Sequence, residues 1–407
     1  MSNIRSADHA LMREMNVALV LECLRQESPL SRAELSQITS LTKATVSSLV
    51  QELLHAGFVR EIGIHTSGDK GRPSIQLDIN PEAGYILGAE IGVDFISVVL
   101  TNFAAEILWR HQESTEELRG QEEILERTIQ VLQEANTYTQ GSAPPILGLG
   151  LGVPGLVDTS TGTLHFASNL HWIEVPLRKI LEGRFNFLVF VDNSAKLAAL
   201  GENYFGAARG ADFVLYLSFG AGVGAGIVLN RRILPGATGF TGEVGHMTLD
   251  PEGPRCNCGN FGCWETYVSK YAVIQRIRTA LAAGRASSLT EPTPDQLDQL
   301  SIDLIVEAAR RGDEVARDAL RETGYFIGLG LANQINMLNP QRVVLGGALS
   351  AAHEFLLPAI HAVLQARALR WSRETAEIVI AEHGSDACVM GGIASVYRHV
   401  LAQPLRV

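Results

Sequence analysis

The sequence predicts an α/β chain in two parts, an N-terminal winged helix-turn-helix and a larger duplicated body with a cleft between its lobes. Three observations predict it. Residues 1–80 read helix, helix, three-residue turn, helix, hairpin. The pattern strand, Gly-containing turn, strand, strand occurs at Tyr85–Leu108 and again at Asp212–Leu234. The chain has 407 residues, 46% hydrophobic and 19% charged, with mean hydropathy +0.12. That composition excludes a disordered chain, a collagen and a coiled-coil rod.

In the first part, Leu11, Met15, Ala18, Leu19 and Leu24 or Cys23 have helical spacing, with Leu21 off that face. Pro29 stops this helix. Ser31, with Glu34 three residues on, forms a capping box for a short helix. After Thr39-Ser40-Leu41, Thr42 caps a third helix with apolar face Val46, Leu49, Val50, Leu53 and Leu54, which ends at Gly57. Phe58–Ile64 and Ser74–Ile79 alternate as strands around a polar loop.

Net charge is −11, but residues 1–80 carry only −1 of it. A DNA-facing surface therefore belongs in the first 80 residues. The second helix of such a motif presents its N-terminal residues to the major groove. Here these are Thr42, Lys43, Thr45, Ser48 and Gln51, hydroxyls and an amide for base edges and a cation for phosphate or guanine. Lys70 and Arg72 sit at the wing, suited to a narrow minor groove. The alternative is a helical hairpin used for protein contacts.

In the body, Leu125–Ala135 reads as a helix, Ile146–Val153 and Phe187–Val191 as buried strands, and Gly141–Pro145 as a loop. Ser301–Leu338 is mostly helical, Arg342–Leu345 a strand, and Ala387–Leu401 a final helix. Phe213–Asn230 is uncharged over 18 residues, but its four glycines suit a strand–turn–strand better than a membrane span. No signal peptide is expected at the N-terminus, and the chain reads as cytoplasmic.

Three of the five cysteines, Cys256, Cys258 and Cys263, fall within eight residues. With His246 they make a four-ligand soft set, the pattern of a closed structural zinc site with no open position for hydrolysis; the alternative is reduced, buried thiols without metal. Asn169, Asn193, Glu243, His246 and Glu265 form a set of carboxylates, amides and an imidazole matching the hydroxyls of a sugar, with Trp172 as a possible ring face. The alternating glycines Gly220, Gly222, Gly224 and Gly226 suit either a phosphate cradle or a hairpin needing close backbone approach.

Leu217–His246, running through these glycines to Gly242-Glu243-Val-Gly245-His246, resembles the ROK signature (repressors, open reading frames, kinases). Cys256-Asn-Cys258-Gly259-Asn-Phe-Gly262-Cys263-Trp-Glu265 is similar to the ROK zinc motif. The resemblance implies the duplicated actin/hexokinase/Hsp70-like fold, with a sugar in the cleft and one zinc shaping the sugar-binding loop. It carries the sugar ligands to Gly155, Asn169, Asn193, Glu243, His246 and Glu265, and the zinc ligands to His246, Cys256, Cys258 and Cys263.

Implied units are 1–80 (DNA binding), 81–195 plus about 386–401 (first lobe) and 196–385 (second lobe). The winged helix resembles the repressor branch, and implies a homodimer or homotetramer on palindromic operator DNA, released by a monosaccharide inducer. Leu41–Ser48, Asn80–Tyr85, Gly92–Asp94, Ser168–Trp172 and Gly242–Asp250 resemble its xylose-responsive members, making xylose the favoured inducer and glucose the alternative.

ROK kinases carry a catalytic Asp in an Asn-Asp-Ala-Asn stretch. Aligned on Ala199-Leu-Gly-Glu202, this chain reads Asp192-Asn193-Ser194-Ala195-Lys196, with Ser194 at the base position. A serine without a neighbouring base is a poor proton acceptor at neutral pH. The kinase Asp-x-Gly-Gly-Thr loop reads Glu90-Ile-Gly92-Val93-Asp94, which sets an anion where phosphates would lie. No phosphoryl transfer is expected; the alternative is a sugar kinase with an accessory DNA-binding domain.

Overall fold

The computed structural model describes residues 9–65, 74–139, 144–289 and 300–402. The N-terminal unit runs α1 (His9–Glu27), β1 (Leu30–Ser31), α2 (Arg32–Thr39), α3 (Lys43–His55), β2 (Val59–His65) and β3 (Ser74–Ile79). Its strands form an antiparallel sheet in the order β1-β3-β2. The capping box is present: the Ser31 hydroxyl accepts from the Glu34 amide, and the Glu34 carboxylate accepts from the Ser31 amide at 2.7 Å. Ser40 takes a left-handed conformation at φ 57° to end α2, and Thr42 caps α3.

The buried stripe of α1 differs from the sequence reading. Val17, Val20, Leu21 and Leu24 are buried, whereas Met15 and Leu19 are exposed. Leu21, placed off-face by periodicity, is fully buried. The reason is tertiary: α1 packs against α2, α3 and β3 and also touches the last helix of the chain. Those neighbours, not apolar content, select its inward face.

The body contains two five-stranded sheets of one topology. The first uses β4 (Tyr85–Ile91), β5 (Phe95–Asn102), β6 (Ile107–Ser114), β7 (Ile146–Val153) and β11 (Val189–Asn193), with α4 (Gly120–Tyr138) between β6 and β7. Between β7 and β11 lie β8 (Leu156–Asp158), β9 (Thr163–Ala167), β10 (Trp172–Val175) and α5 (Leu177–Glu182). β8 to β10 form a small antiparallel sheet with no counterpart in the sequence reading. α6 (Ser194–Tyr204) then leads to the second sheet: β12 (Phe213–Phe219), β13 (Val223–Leu229), β14 (Arg232–Ile233), β15 (Arg342–Gly346) and β16 (Glu377–Ile380).

The orders are β6-β5-β4-β7-β11 and β14-β13-β12-β15-β16. In each, a three-stranded antiparallel meander is followed by two strands added in parallel. Around the second sheet lie α7 (Glu265–Val268), α8 (Lys270–Ala282), α9 (Ile302–Arg310), α10 (Glu314–Leu338), α11 (His353–Arg367) and α12 (Arg370–Thr375). The chain returns to the first sheet through α13 (Ala387–Ala402), which packs on β4, β7 and α6.

This return requires glycine. A Cβ on Gly150 would lie 2.2 Å from the Gly392 carbonyl oxygen, and one on Gly391 would meet the Leu197 backbone. Among the described residues, no helix is long and apolar enough to cross a membrane.

Candidate functional site

A cleft of about 1270 Å³ lies between the two sheets. All six residues proposed from the sequence as sugar ligands line it: Gly155, Asn169, Asn193, Glu243, His246 and Glu265. Gly155, at φ 115°, follows β7 where a Cβ would strike the Phe166 carbonyl. Asn193 ends β11 and caps α6. Its Oδ1 accepts from the Ala195 and Lys196 amides, and its Nδ2 donates to the Gly155 carbonyl at 3.0 Å. The Asn193 amide thus fixes the floor of the cleft.

Asn169 accepts at Oδ1 from Asn257 Nδ2 at 3.0 Å, joining the loop between β9 and β10 to the cysteine loop. Glu243 lies 3.9 Å from His246 Nε2. Burial pushes the Glu243 carboxyl up, with His246 and Lys196 opposing.

The ring nitrogens of His246 face different ways. Nδ1 is 3.7 Å from Cys256 Sγ, and Nε2 is turned toward Glu243. Cys258 and Cys263 sulfurs are 3.8 Å apart, and the four donor atoms of His246, Cys256, Cys258 and Cys263 all lie within 4.8 Å of one another. A tetrahedral zinc with Zn–S bonds of about 2.3 Å needs ligand separations of about 3.5–3.8 Å. The donor set fits a metal ion of that kind. Burial and the Glu265 carboxylate push the Cys256 thiol up, and the Cys258 amide, which donates to Cys256 Sγ at 3.5 Å, opposes them. Glu265 Oε1 accepts from Cys256 at 2.9 Å and is 3.6 Å from His246 Nδ1, so this cleft carboxylate rests directly on the cluster.

The glycine run divides into two roles. Gly224 and Gly226 on β13 face α6, where a Cβ would lie 2.8 Å from Ala195 Cβ and 2.4 Å from Ala199 Cβ respectively. They serve packing. Gly220 and Gly222 form the turn at the cleft, and a Cβ on Gly222 would meet Asn169 Nδ2 and Glu265 Oε2. Trp172 is not a cleft residue: it is 3% exposed, its side chain turned from β10 into the core. Phe166 on β9 lines the cleft instead.

Ser194 opens α6 and lines the cleft. Next to it, burial pushes the Asp192 carboxyl up to about 6. At the other end of the cleft, Glu90 accepts from the Cys388 thiol. Burial pushes Glu90 up to about 7, Asp386 adding to the shift. Asp94 pairs with Lys270 across the cleft mouth. Burial works against the Lys270 charge, but Asp94 outweighs it and holds the amine above the ordinary lysine range. Sequence reasoning missed Lys270, because 176 residues separate it from Asp94.

On α3, Lys43, Ser48 and Gln51 are exposed and Thr45 is half-buried. Thr42 is exposed, but its hydroxyl is engaged with the Thr45 amide at 3.2 Å and hydroxyl at 2.8 Å. Ala44 and Ser47 are exposed on the same helix and were not singled out from sequence. Lys70 and Arg72 lie outside the described residues.

The ROK family model matches residues 86–398. The chain belongs to the ROK family. An IclR helix-turn-helix domain model matches residues 15–63. The chain is 34% identical to the xylose repressor of Caldicellulosiruptor bescii over 98% of this chain and 99% of that protein. A ROK family transcriptional regulator described as a homologue of the E. coli MLC protein matches with TM-score 0.82 and 28% identity, covering 97% of this chain and 98% of that one. A ROK family glucokinase from Streptomyces griseus, solved with glucose and AMPPNP, matches with TM-score 0.67 and 29% identity, over 78% of this chain and 100% of that one. The regulator's match, at 97% of the chain, is long enough to include the helix-turn-helix; the kinase's is shorter, at 78%.

Proposed function

We propose that this ROK protein is a sugar-responsive transcription repressor that binds palindromic operator DNA through α3 and the wing, and is released by a monosaccharide. The observation that carries this reading is one chain holding a capped helix-turn-helix with an exposed Lys43-Ala44-Ser47-Ser48-Gln51 face and a cleft into which sugar-type ligands converge. D-xylose is the first inducer to test, supported by the relative named xylose repressor; glucose is the alternative. Gly155, Asn169, Asn193, Glu243, His246 and Glu265 are the groups that meet the sugar, with Asn193 also holding Gly155 in place.

His246, Cys256, Cys258 and Cys263 hold one structural zinc. A bound zinc would supply charge and fix the loop carrying Glu265 and Asn257; the ring of His246 then presents Nε2 to the cleft. Phosphoryl transfer is not part of this reading, since Ser194 occupies the base position and Asp94 the phosphate loop. The proposed units are 1–80, 81–195 with 386–401, and 196–385. The assembly is a homodimer or a homotetramer in the cytoplasm, its paired winged helices meeting two half-sites.

Sugar releases DNA only if it favours the conformer that cannot bind both half-sites. The test is fluorescence anisotropy on the promoter region of the protein's own gene, at fixed salt, with and without millimolar D-xylose and then D-glucose. Tight binding released by one aldose supports the reading; tight binding unaffected by any aldose sinks the inducer half of it. In the same assay Lys43→Ala is expected to weaken operator binding about 5- to 50-fold and lower the salt slope by about one. Sugar affinity should not change, and an unchanged operator affinity rejects the α3 docking.

A further inference from the structure

The N-terminal unit is attached to the two halves of the body by different chemistry. Toward the first sheet the contact is apolar. Phe58 packs on Phe103 at a centroid distance of 5.2 Å, and Phe103 stacks on Tyr397 of α13 at 4.7 Å, inside one continuous core. Toward the second sheet the contact is ionic. Glu22 on α1 accepts from Arg25 at 2.8 and 3.0 Å and from Gln26 at 2.7 Å, and it pairs with Arg231 in the turn between β13 and β14. Arg25 also donates to the Tyr204 carbonyl at 3.3 Å, at the end of α6. Both guanidiniums lie over the Tyr204 ring, at 4.6 and 5.4 Å.

The turn that carries Arg231 is unusual for its residue. Asn230 and Arg231 have φ of 50° and 62°, the two left-handed positions of a two-residue hairpin turn. Asn-Gly is the favoured pair there, and a side chain at the second position costs of order 1 kcal/mol. The chain accepts that cost and gains a cation facing Glu22.

β13 connects this turn to the cleft. Its other end is the Gly220–Gly222 turn beside Asn169 and Glu265. Seven strand residues span about 23 Å. A rotation of the second lobe by about 10° over that length displaces the guanidinium by about 4 Å, beyond hydrogen-bond reach.

We propose that the Glu22–Arg231 contact is the link through which lobe position, set at the cleft, is passed to the DNA-binding unit. The apolar contact holds α1 to the first lobe, and the ionic one makes its orientation depend on the second. Arg231 is a positioning residue that touches neither sugar nor DNA. The proposal deepens the sugar-responsive reading above and rests on it.

The test substitutes Arg231→Gly, which removes the cation and leaves the Asn-Gly pair that the turn prefers, so folding is retained. The readout is a ratio: operator Kd with saturating D-xylose over operator Kd without it, together with D-xylose Kd in the absence of DNA. Couplings of this kind are about 5- to 150-fold. Arg231→Gly is expected to cut the wild-type ratio at least about fivefold, toward one, while the D-xylose Kd stays within about twofold. Arg231→Lys, which keeps a point charge in reach, should retain most of the ratio.

A wild-type ratio preserved in Arg231→Gly overturns the proposal. If the wild type responds to neither D-xylose nor D-glucose, the functional reading has failed, and the contact is judged by amide exchange in 9–27 without sugar. Faster exchange there in Arg231→Gly supports the tie, and equal rates reject it.

Discussion

The two ends of the cleft differ in what their polar groups are doing. At the end lined by Asn193, His246 and Glu265, each of these groups is held by a neighbour: His246 and Glu265 rest on the cysteine cluster, and Asn193 is locked by the start of α6. At the end lined by Glu90, Asp94 and Glu116, the wall is rich in carboxyl groups; burial pushes Glu90 up to about 7, Asp386 behind it pairs with Arg110, and Lys270 is engaged with Asp94. On the reading proposed above, the first end meets neutral hydroxyls. On the same reading the second disfavours a polyphosphate, because Lys270 is already engaged with Asp94. One cleft, so read, keeps a sugar site at one end while its other end holds carboxyl groups in place of a nucleotide site.

The largest effect that breaks this contrast is loss of the cysteine cluster. Cys258→Ser is expected to lower zinc from one per chain to below about 0.1 by elemental analysis. Sugar affinity should fall by more than about 100-fold as the loop bearing Asn257 and Glu265 loosens. Metal content unchanged at one per chain would show that the four ligands are misassigned.

Next in size is Glu243→Gln. It removes a charge-assisted acceptor, a change worth roughly 1.5–3 kcal/mol, so the sugar Kd should rise about 10- to 100-fold by calorimetry. Sugar-free operator binding should stay at the wild-type value. An equal loss of both would place Glu243 in the fold rather than in sugar recognition.

What could be read beforehand follows the range of the interactions. The Ser31–Glu34 capping box, the Thr42 cap and the C-x-C-x₄-C cluster depend on residues within about ten positions, and their spacing in sequence is nearly their spacing in space. The strand–turn–strand duplication was legible for the same reason, since each meander folds on itself. The inward face of α1 was not, because apolar residues occur all round it and only its neighbours choose among them. Trp172 was misread because β8 to β10 are strands of three to five residues, too short to show a period. Lys270 beside Asp94 and Arg231 beside Glu22 are products of topology, with no local signature.

The smallest effect sharpens the comparison from the anionic end. The Glu90 carboxyl is pushed from 4.5 to about 7. Between those values the folded protein holds a proton that the unfolded chain has released. Stability therefore falls as pH rises from about 4.5 to about 7 and is level above, where a buried carboxylate faces Asp386. Glu90→Gln resembles the protonated acid, so it should change little at pH 5. At pH 8 it should stabilise the fold by roughly 1–2 kcal/mol, the full shift being discounted because Glu90 borders the open cleft. Thermal melts of both proteins at the two pH values test this. A gain at pH 8 alone identifies Glu90 as a charge the fold holds at a cost. The same gain at both pH values would mean that packing, not charge, separates glutamate from glutamine there, and the electrostatic contrast between the two ends would then rest on Asp94 and Glu116 alone.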